Sequence, residues 1–378
     1  MAIVGCGKIA DQHVEAIGRV PGALIVAVCD QEQLMAQQLA ERFAISACFS
    51  DSNEMLNAVQ PDVVHIITPP QSHYPLAKQC LASGSHVYLE KPFTVSAEEA
   101  ASLIDAARCL DLKVTVGHNY QFTPEMLEMR RLVKDRAFGR PIHVESYWSY
   151  DLGDANYVGP ILGNRNHWVR QLPGQLLHNV ISHGLARLAE FLDDNSTELT
   201  ATAHQSESLQ KLGGEEVLDE LRVSIRDHTG TTASFCFSTQ MKGVNQLRVY
   251  GQGGSIFVDN GTGSVIRTKG RAYKSYLTYF IPPLKLAWQN LGNARVNITN
   301  FIRRRLYQDF GMTELIRRFY DAIRTRGEPP IAYREIILTA RIMDEIFAQV
   351  YPERLQTKAI ANQTAAAAPA GARATAKV

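Results

Sequence analysis

The stretch MAIVGCGKIADQHVEAI, residues 1–17, decides the fold of the chain that follows it. The apolar run Ala2–Val4 predicts a buried strand, and the residues after the second glycine have helical spacing. Gly5 permits a tight turn, Gly7 lets backbone N–H groups approach a pyrophosphate, and Ala10 allows helix and strand to pack closely. The helix N-terminus adds partial positive charge for the phosphates. The sequence therefore predicts a dinucleotide site whose loop residues are Gly5, Gly7, Lys8, Ile9 and Ala10.

A carboxylate follows at the end of the second predicted strand. Asp30 lies twenty residues after Ala10, where an acidic side chain accepts hydrogen bonds from ribose hydroxyls and repels a 2′-phosphate. Charged hydrogen bonds of this kind contribute about 1.5–3 kcal/mol, so Asp30 favours NAD over NADP. The glycine spacing alone has a second interpretation, a tight turn in any α/β protein, and Asp30 with the flanking strand and helix favours the dinucleotide site.

The composition is that of an ordinary globular protein. The 378 residues allow two domains, and a net charge of +1 gives no reason to expect nucleic acid as a partner. The six cysteines form no CxxC pair and no cluster with metal-ligand spacing, so we expect free thiols and no metal site. No signal peptide is visible and no apolar run approaches about 18 residues, which predicts a cytoplasmic protein. Only four residues precede Gly5, so we expect either a short first strand or further chain upstream.

Residues 1–120 alternate short apolar runs with helical patterns, which predicts a doubly wound parallel sheet, an α/β Rossmann domain. Its predicted strands are Ala2–Val4, Leu24–Cys29, Val63–Ile67, His86–Leu89 and Val114–Gly117. Its predicted helices are Gln12–Gly18, Gln31–Phe43, Tyr74–Ser83 and Ala97–Leu110. Such sheets bind ligands at the carboxyl ends of their strands, where the strand order reverses.

Residues 121–355 show successive strands joined by tight turns, which predicts an α+β domain with a largely antiparallel open sheet. The predicted strands are 141–150, Leu199–His204, Leu221–Arg226, Thr232–Thr239, Gln246–Tyr250 and Ser255–Val258, with a hairpin turn at 227–230. The predicted helices are Gly174–Leu192, Met312–Thr325 and Glu335–Val350. Residues 356–378 are low in complexity, which predicts a disordered tail.

Three further segments follow predicted strands of the first domain. HIITPPQSH, residues 65–73, carries Thr68, Pro69 and His73, which form either a rigid loop along the cofactor or an ordinary loop closed by prolines. YLEKPFTV, residues 88–95, and VTVGHNYQFTP, residues 114–124, end two more buried strands. Carboxyl ends of parallel strands meet at one edge, so we assign further cofactor contacts to Thr68, Pro69, His73, Glu90, Lys91, Pro92 and Asn119.

Together, G-C-G-K-I-A, Asp30, T-P-P-x-x-H, E-K-P and V-G-H-N-Y-x-F-x-P resemble the glucose–fructose oxidoreductase / inositol dehydrogenase / rhizopine catabolism (Gfo/Idh/MocA) family. The resemblance covers nearly the whole chain and includes residues 315–347, which are similar to closing helices that pack back on the nucleotide domain. It implies NAD(P)-dependent oxidation or reduction of sugars and polyols. It also implies an open sheet often used for dimer contacts, hence a homo-oligomer.

The family's E-K-P lysine reaches the substrate hydroxyl and the nicotinamide ribose, a role that maps onto Lys91, while Pro92 fixes the backbone. An ammonium group stabilises a developing alkoxide, and burial lowers its pKa. A solvated surface lysine is the alternative for an isolated residue of this kind, and the surrounding motifs favour the catalytic role.

The segment LPGQLLHNVISHGLARL, residues 172–188, resembles the family helix G-G-x-x-x-D-x-x-x-H. Asn179 takes the aspartate position and His183 the histidine position, and a continuous helix would put both on one face. His183 is then the proton acceptor, while Asn179 can only orient its neighbours. Ala186 replaces a further common aspartate, and His178 points elsewhere. A core histidine bonded to a backbone carbonyl is the alternative for His183.

The loop NRNHWVRQLPG, residues 164–174, mixes cations with an aromatic ring. Arg165 and Trp168 suit a sugar ring or a phosphate, and an irregular solvated loop accounts for them equally well. We assign substrate contacts to Tyr120, Arg165 and Trp168.

Residues 267–305 hold nine Lys or Arg, no Asp or Glu, and six aromatic side chains. Three interpretations stay open for this cationic insert: a subunit-contact arm, peripheral contact with an anionic membrane, or closure over an anionic substrate.

The sequence thus predicts an NAD-dependent oxidoreductase acting on a sugar, nucleotide sugar or polyol in surface polysaccharide synthesis. The departures at Asn179 and Ala186 support an alternative, a catalytically silent NAD-binding regulatory or scaffold protein. Both hypotheses predict NAD binding, and they differ in whether substrate is turned over.

Overall fold

The computed structural model describes residues 1–135, 137–152, 155–193, 197–213, 216–270, 273–274, 276–303 and 309–353. The predicted disordered tail, 356–378, lies outside these residues, and so do Arg304 and Arg305 of the cationic insert.

The first sheet is built from six short strands, and five helices connect them. In chain order the elements are β1 Ala2–Val4, α1 Ala10–Gly18, β2 Ala27–Cys29, α2 Gln33–Phe43, β3 Ala47–Phe49, α3 Ser52–Val59, β4 Val63–Ile66, α4 His73–Ala82, β5 His86–Leu89, α5 Ala97–Cys109 and β6 Val114–Val116. The strand order is β3-β2-β1-β4-β5-β6 and every pair is parallel. This confirms the predicted doubly wound sheet, whose order reverses between β1 and β4.

The sequence analysis did not predict strand β3 or helix α3, and three strands are shorter than predicted: β4 and β6 by one residue each and β2 by three. Strand β3 has only three residues, all partly exposed, so it lacks the apolar run of a strand buried on both faces. Helix α3 begins after Asp51, whose carboxylate accepts hydrogen bonds from the amides of Asn53 and Glu54, a normal N-cap. Strand β2 begins at Ala27 because Leu24 is exposed and outside the sheet.

The second sheet has seven strands in the order β13-β12-β11-β7-β10-β9-β8. The elements that follow β6 are α6 Pro124–Val133, β7 Pro141–Ser149, α7 Ala155–Gly163, α8 Trp168–Gln171, α9 Gln175–Val180, α10 Ser182–Ala189, β8 Thr197–His204, α11 Glu207–Lys211, β9 Glu220–Asp227, β10 Thr232–Ser238, β11 Asn245–Gly251, β12 Gly254–Asp259, β13 Ser264–Lys269, α12 Leu277–Ile302, α13 Phe310–Arg324 and α14 Tyr333–Val350. One pair of neighbouring strands in this sheet, β7 and β10, is parallel, and the other five pairs are antiparallel. The prediction of a largely antiparallel sheet is therefore confirmed.

One face of the second sheet carries the second core. In β9, Leu221, Val223 and Ile225 are buried, and the residues between them are exposed, which is the period-two pattern of a half-buried strand. Helix α10 lies directly on this face. A Cβ at Gly184 would collide with the ring of Phe235, and the Ser146 hydroxyl donates a hydrogen bond to the Gly184 carbonyl 3.0 Å away.

The predicted single helix Gly174–Leu192 is wrong, because the segment forms two helices, α9 and α10, with Ile181 between them. The two last helices join the cores. Helix α13 buries Leu315, Ile316 and Phe319 in the core of the first sheet, whereas α14 packs against α5 as well as α10 and β8. Among the described residues, no helix combines the length and apolarity needed to cross a bilayer.

Candidate active site

The glycine turn after β1 has a backbone that only glycine adopts easily. Gly5 has φ +100°, in the left-handed region, and its N–H donates to the Cys29 carbonyl 2.8 Å away. A Cβ at Gly5 would lie 2.9 Å from the carbonyl carbon of Ile67. The turn is therefore pressed between β2 and the end of β4, at the reversal point of the sheet.

Asp30 holds the turn in place as well as standing at the end of β2. Its carboxylate accepts hydrogen bonds from the Cys6 amide at 2.7 Å and from the Glu32 amide at 2.9 Å. The side chain is only partly buried, so lone pairs remain for other donors. A Cβ added to Gly7 would have no neighbour within 4 Å. An open glycine before a helix N-terminus, with a partly exposed carboxylate beside it, fits a dinucleotide.

A cleft of about 250 Å³ lies beside this turn. Six residues predicted for the site line it: Ile9, Glu90, Lys91, Asn119, Tyr120 and His183. Its remaining lining residues were not predicted: Gln12, Gly117, Thr123, Asp309, Gly311 and Met312. Asp309 and Gly311 lie at the start of α13, so this end of the helix forms one wall of the cleft.

Lys91 spans the gap between the two halves of the cleft. Its Nζ donates a hydrogen bond to the main-chain carbonyl of Asn179 at 3.1 Å, so an ammonium group from the end of β5 is anchored on α9. Burial lowers the pKa of Lys91, and the nearby Glu90 carboxylate opposes that change. The sequence prediction gave the Asn179 side chain the orienting role, but the lysine contacts the Asn179 backbone instead.

Glu90 joins the cleft to a buried chain of polar rings. Its Oε2 accepts a hydrogen bond from the Lys91 amide at 3.0 Å, and its Oε1 lies 3.1 Å from Nε2 of His13. Nδ1 of His13 lies 3.2 Å from Nδ1 of His65, whose Nε2 lies 2.7 Å from the Tyr320 hydroxyl. Glu90 follows β5, and the three rings come from α1, β4 and α13 in turn.

The contacts of this chain suit a neutral His65 and an ionised Glu90. The Glu90 carboxylate can only accept, so Nε2 of His13 donates to it, and the tautomer of His65 decides the direction of the other two hydrogen bonds. Burial keeps the pKa of His65 well below its ordinary value. Burial alone would raise the pKa of Glu90, but hydrogen bonds and charge from His13 and Lys91 hold it below its usual range. The carboxylate beside Lys91 is therefore a fixed negative charge.

His183 faces Lys91 across the cleft within a set of aromatic rings. Its ring centroid lies 5.0 Å from that of Tyr120, 5.6 Å from Trp148 and 5.8 Å from His118. Its Nδ1 is buried, and no described residue gives it a hydrogen bond. Burial, then the charge of Lys91, lowers the pKa of His183 well below its ordinary value. The imidazole is therefore neutral at physiological pH.

A second cation, Arg187, lies one helical turn beyond His183 and was not predicted. It is fully buried, and its guanidinium donates to the side-chain oxygens of Asn245 at 2.7 Å and Asn260 at 2.8 Å. It also lies over the Trp148 ring, 5.0 Å from the centroid. Burial lowers the pKa of Arg187 to about 9. An arginine inside the apolar pattern of a predicted helix was the available sequence signal.

Two predicted cofactor residues have structural contacts in this fold. His73 is completely buried, and its Nε2 lies 2.8 Å from the Thr68 carbonyl while its Nδ1 lies 3.0 Å from the Pro92 carbonyl. The ring therefore braces the loop after β4 against the loop after β5. The Thr68 hydroxyl bonds the Ser72 hydroxyl at 2.6 Å. These contacts hold together the two loops that the sequence assigns to the cofactor site.

The predicted residues Arg165 and Trp168 lie outside the cleft lining, and so does His178, which the sequence analysis had set aside. His178 stacks on Phe347, with ring centroids 4.9 Å apart. Arg165 is exposed, and the Trp168 carbonyl accepts a hydrogen bond from the Gln71 side chain at 2.8 Å. That bond brings the loop before α8 next to the prolines after β4, so Trp168 borders the predicted cofactor edge.

A larger cavity of about 890 Å³ shares Thr123 and Gly311 with the cleft. Helix α12, α6 and the turn after β12 enclose it. Amide side chains line much of its wall: Asn260, Gln289, Asn293, Asn297 and Asn300. The described residues contain no group of three or more His, Cys, Asp or Glu side chains that could hold a metal ion.

Comparison with known proteins gives matches to two family models. Residues 1–118 match the model described as "Oxidoreductase family, NAD-binding Rossmann fold". Residues 126–257 match the one described as "GFO/IDH/MocA C-terminal domain". The first match contains the glycine turn and Lys91, and the second contains His183.

One curated relative and two solved structures illustrate the likeness. D-glucoside 3-dehydrogenase of Escherichia coli K12 is 33% identical over 140 residues, which are 37% of this chain and 40% of that protein. The chain thus matches less than half the length of that relative. The WlbA dehydrogenase of Bordetella pertussis, in complex with NADH and UDP-GlcNAcA, is 18% identical, with a TM-score of 0.73 over 93% of this chain and 95% of that one. UDP-N-acetylglucosamine 3-dehydrogenase of Acidithiobacillus ferrooxidans is 17% identical, with a TM-score of 0.68 over 92% and 96%.

Proposed function

The chain belongs to the Gfo/Idh/MocA family of NAD-binding oxidoreductases, and we propose that it is an NAD-dependent dehydrogenase of a sugar, nucleotide sugar or related polyol. The observation that carries this proposal is the cleft beside the glycine turn, where Lys91 from the first sheet and His183 from α10 line one space. A cation for the oxygen and a neutral base for the proton are what oxidation of a carbinol requires.

When bound, the nicotinamide ring supplies the hydride acceptor, and the protein supplies the groups that act on the substrate oxygen. Lys91 uses one N–H on the Asn179 carbonyl, which leaves two donors for a substrate hydroxyl. Its positive charge stabilises the alkoxide character that develops on that oxygen. The anionic Glu90 beside it keeps the lysine protonated against the effect of burial.

His183 accepts the hydroxyl proton in this mechanism. The positive charges of Lys91 and Arg187, added to burial, keep the imidazole neutral and ready to accept. Asn119 lines the same cleft, and its buried Oδ1 has no hydrogen-bond partner among the described residues. That oxygen is suited to accept a hydrogen bond from a second substrate hydroxyl or from the carboxamide of the coenzyme.

The coenzyme preference and the substrate class rest on separate features. Asp30 presents a carboxylate where a ribose hydroxyl would lie, which favours NAD over NADP. The cavity of about 890 Å³ next to the cleft has a polar lining that includes Asn300, and it has room for more than a monosaccharide. The nucleotide sugar bound to the Bordetella pertussis dehydrogenase supports the same class.

The wider setting belongs to the same proposal. Oxidation of an activated sugar would serve surface polysaccharide synthesis in the cytoplasm, where NAD is available. Tyr147 on the outer face of the second sheet is exposed, which suits a contact between copies in a homo-oligomer.

A second function, a silent NAD-binding regulatory or scaffold protein, is favoured by one observation. Asparagine and alanine stand at positions 179 and 186, where the family helix has carboxylates. A panel of sugars, nucleotide sugars and polyols with NAD, followed by NADH absorbance, distinguishes the two. Turnover that disappears in Lys91→Ala supports the dehydrogenase. NAD binding without turnover on any member of the panel supports the silent protein.

A further inference from the structure

Helix α12 packs on the protein through its polar side. Gln289 both donates to and accepts from the main chain of Arg267, at 3.1 and 2.8 Å. Asn293 donates to the Val265 carbonyl at 3.0 Å, and Asn297 donates to the Thr262 carbonyl at 2.9 Å. These amides satisfy backbone groups along the free edge of β13, which would otherwise be open to strand pairing. Three amides of this polar stripe are thus engaged by the fold.

The apolar side of α12 points away from the protein. At about 100° per residue, the side chains opposite the amides are Phe280, Leu284, Trp288, Leu291, Ile298 and Ile302. Each of these is 59–77% exposed, and no residue of the 26-residue helix is buried. Surface helices of globular proteins normally show the reverse arrangement, with the apolar face inward. A continuous apolar face of this size indicates a surface that is covered by another molecule or by a membrane.

The charge of the segment indicates whether a second copy of the protein or a membrane covers this face. Lys285, Arg295 and Arg303 lie on α12 or at its end, and residues 267–305 contain no carboxylate. Two copies of this face meeting about a two-fold axis would bring these cations together without acidic residues of the segment to neutralise them. An anionic lipid surface supplies the opposite charge and also accepts the apolar side chains. Trp288 and the tyrosines at the start of the helix are residues that favour the headgroup region.

From this arrangement we infer that α12 is an in-plane anchor that lies on an anionic membrane surface. The amide stripe fixes the helix to the edge of the second sheet, and the apolar stripe enters the headgroup boundary. The cations extend toward lipid phosphates. This role is independent of the reaction in the cleft, because none of the six outward side chains lines it.

Co-sedimentation of the full chain with vesicles tests the anchor. We expect the protein to pellet with phosphatidylglycerol-containing vesicles, to pellet at least tenfold less with pure phosphatidylcholine, and to be released by high salt. The variant Leu284→Glu/Leu291→Glu should pellet at least tenfold less with the anionic vesicles. Leu212→Glu, which changes a comparably exposed leucine in another part of the second domain, should pellet like the wild type.

Two controls distinguish the anchor from loss of the fold and from self-association. Unchanged NAD binding by the double variant shows that the fold is retained, and sedimentation velocity without lipid gives the number of copies. Equal pelleting of wild type and double variant with anionic vesicles would overturn the anchor. It would also be overturned if the wild type ignored vesicles and the substitutions only converted an oligomer to a monomer, since the face would then bind a second copy.

Discussion

The Nζ of Lys91 lies 3.1 Å from the main-chain oxygen of Asn179. The lysine comes from the loop after β5 and its acceptor from α9, so one hydrogen bond joins the first domain to the second beside the cleft. Because the acceptor is a backbone atom, the side chain at position 179 does not determine whether the lysine is held. This explains how asparagine can stand at a position where the related family helix has aspartate.

Lys91→Ala should abolish turnover while leaving the coenzyme bound. Loss of the cation removes stabilisation of the developing oxyanion, and we expect kcat to fall by about 10²–10³-fold or more. Calorimetry should show an NAD affinity within about threefold of the wild type. The matched control is Lys211→Ala, whose side chain is 79% exposed. A variant at position 91 that retains half of the wild-type kcat would contradict the assigned role.

His183→Asn should lower kcat by about 10²–10⁴-fold, the usual contribution of a general base. The wild-type pH profile gives a sharper test. The base must be neutral, and its pKa is held well below the ordinary 6.5, so kcat/KM should stay level as pH falls through 6.5 and decline only at lower pH. The alkaline limb should lie below 10.5, because the pKa of Lys91 is lowered. An acid limb centred at 6.5 would contradict the lowered pKa assigned to His183.

Asp30→Ala should weaken NAD binding and narrow the preference over NADP. Alanine has no acceptor for the hydrogen bond of a ribose hydroxyl. Loss of a charged hydrogen bond corresponds to about 1.5–3 kcal/mol, or roughly 10–150-fold in Kd. Asp30→Asn is the matched control, since its amide oxygen can still accept from the Cys6 amide that Asp30 holds at 2.7 Å. Equal NAD affinity for all three proteins would remove Asp30 from the site.

His13→Phe should destabilise the fold and disturb the cleft together. The substitution leaves the Glu90 oxygen and Nδ1 of His65 without their partner, and breaking a buried polar pair costs about 2–4 kcal/mol. Urea unfolding should show this loss. His228→Phe changes a histidine that is 40% exposed and should shift stability by less than about 0.5 kcal/mol. A His13 variant as stable as the wild type would mean that the ring chain does not support Glu90.

Asp344→Asn should make stability less dependent on pH. Burial raises the Asp344 pKa from 3.8 to about 6, although the Ala97 amide donates to it at 2.8 Å. The folded state therefore holds the extra proton between these values, and the free energy of unfolding falls as pH rises from about 4 to about 6. Above pH 6 the variant should be more stable than the wild type by about 1 kcal/mol, a value reduced for partial solvent exposure. Thermal melts across this pH range, with the exposed Asp105→Asn as control, measure the difference.

The first sheet could be predicted from sequence because parallel strands buried on both faces appear as continuous apolar runs between helical patterns. Strand β3 could not, because its three residues are half-exposed. The cleft was predictable where motifs carried it, at Glu90, Lys91, Asn119 and His183. The break at Ile181 was hidden, since the apolar pattern runs through it without interruption.

Contacts between distant segments were beyond the sequence. Tyr320 is 255 positions from His65 in the chain, and nothing near either residue indicates that they touch. The sequence around Arg187 does not distinguish it from a surface arginine on a helix. Its buried position becomes clear only from its asparagine partners, one on β11 and one after β12. Helix α12 shows a different limit, because an apolar stripe predicts a buried face, whereas here the polar stripe is the one that packs.

The parallel pairing of β7 with β10 affects the order in which the parts of the chain fold. Everything from α7 to β9 lies between these neighbours, and closing so long a loop is slow compared with pairing adjacent segments. His183 belongs to that segment. We expect the first sheet, whose strand connections are shorter, to form before the part of the cleft that carries His183, so NAD binding should return before any turnover during refolding.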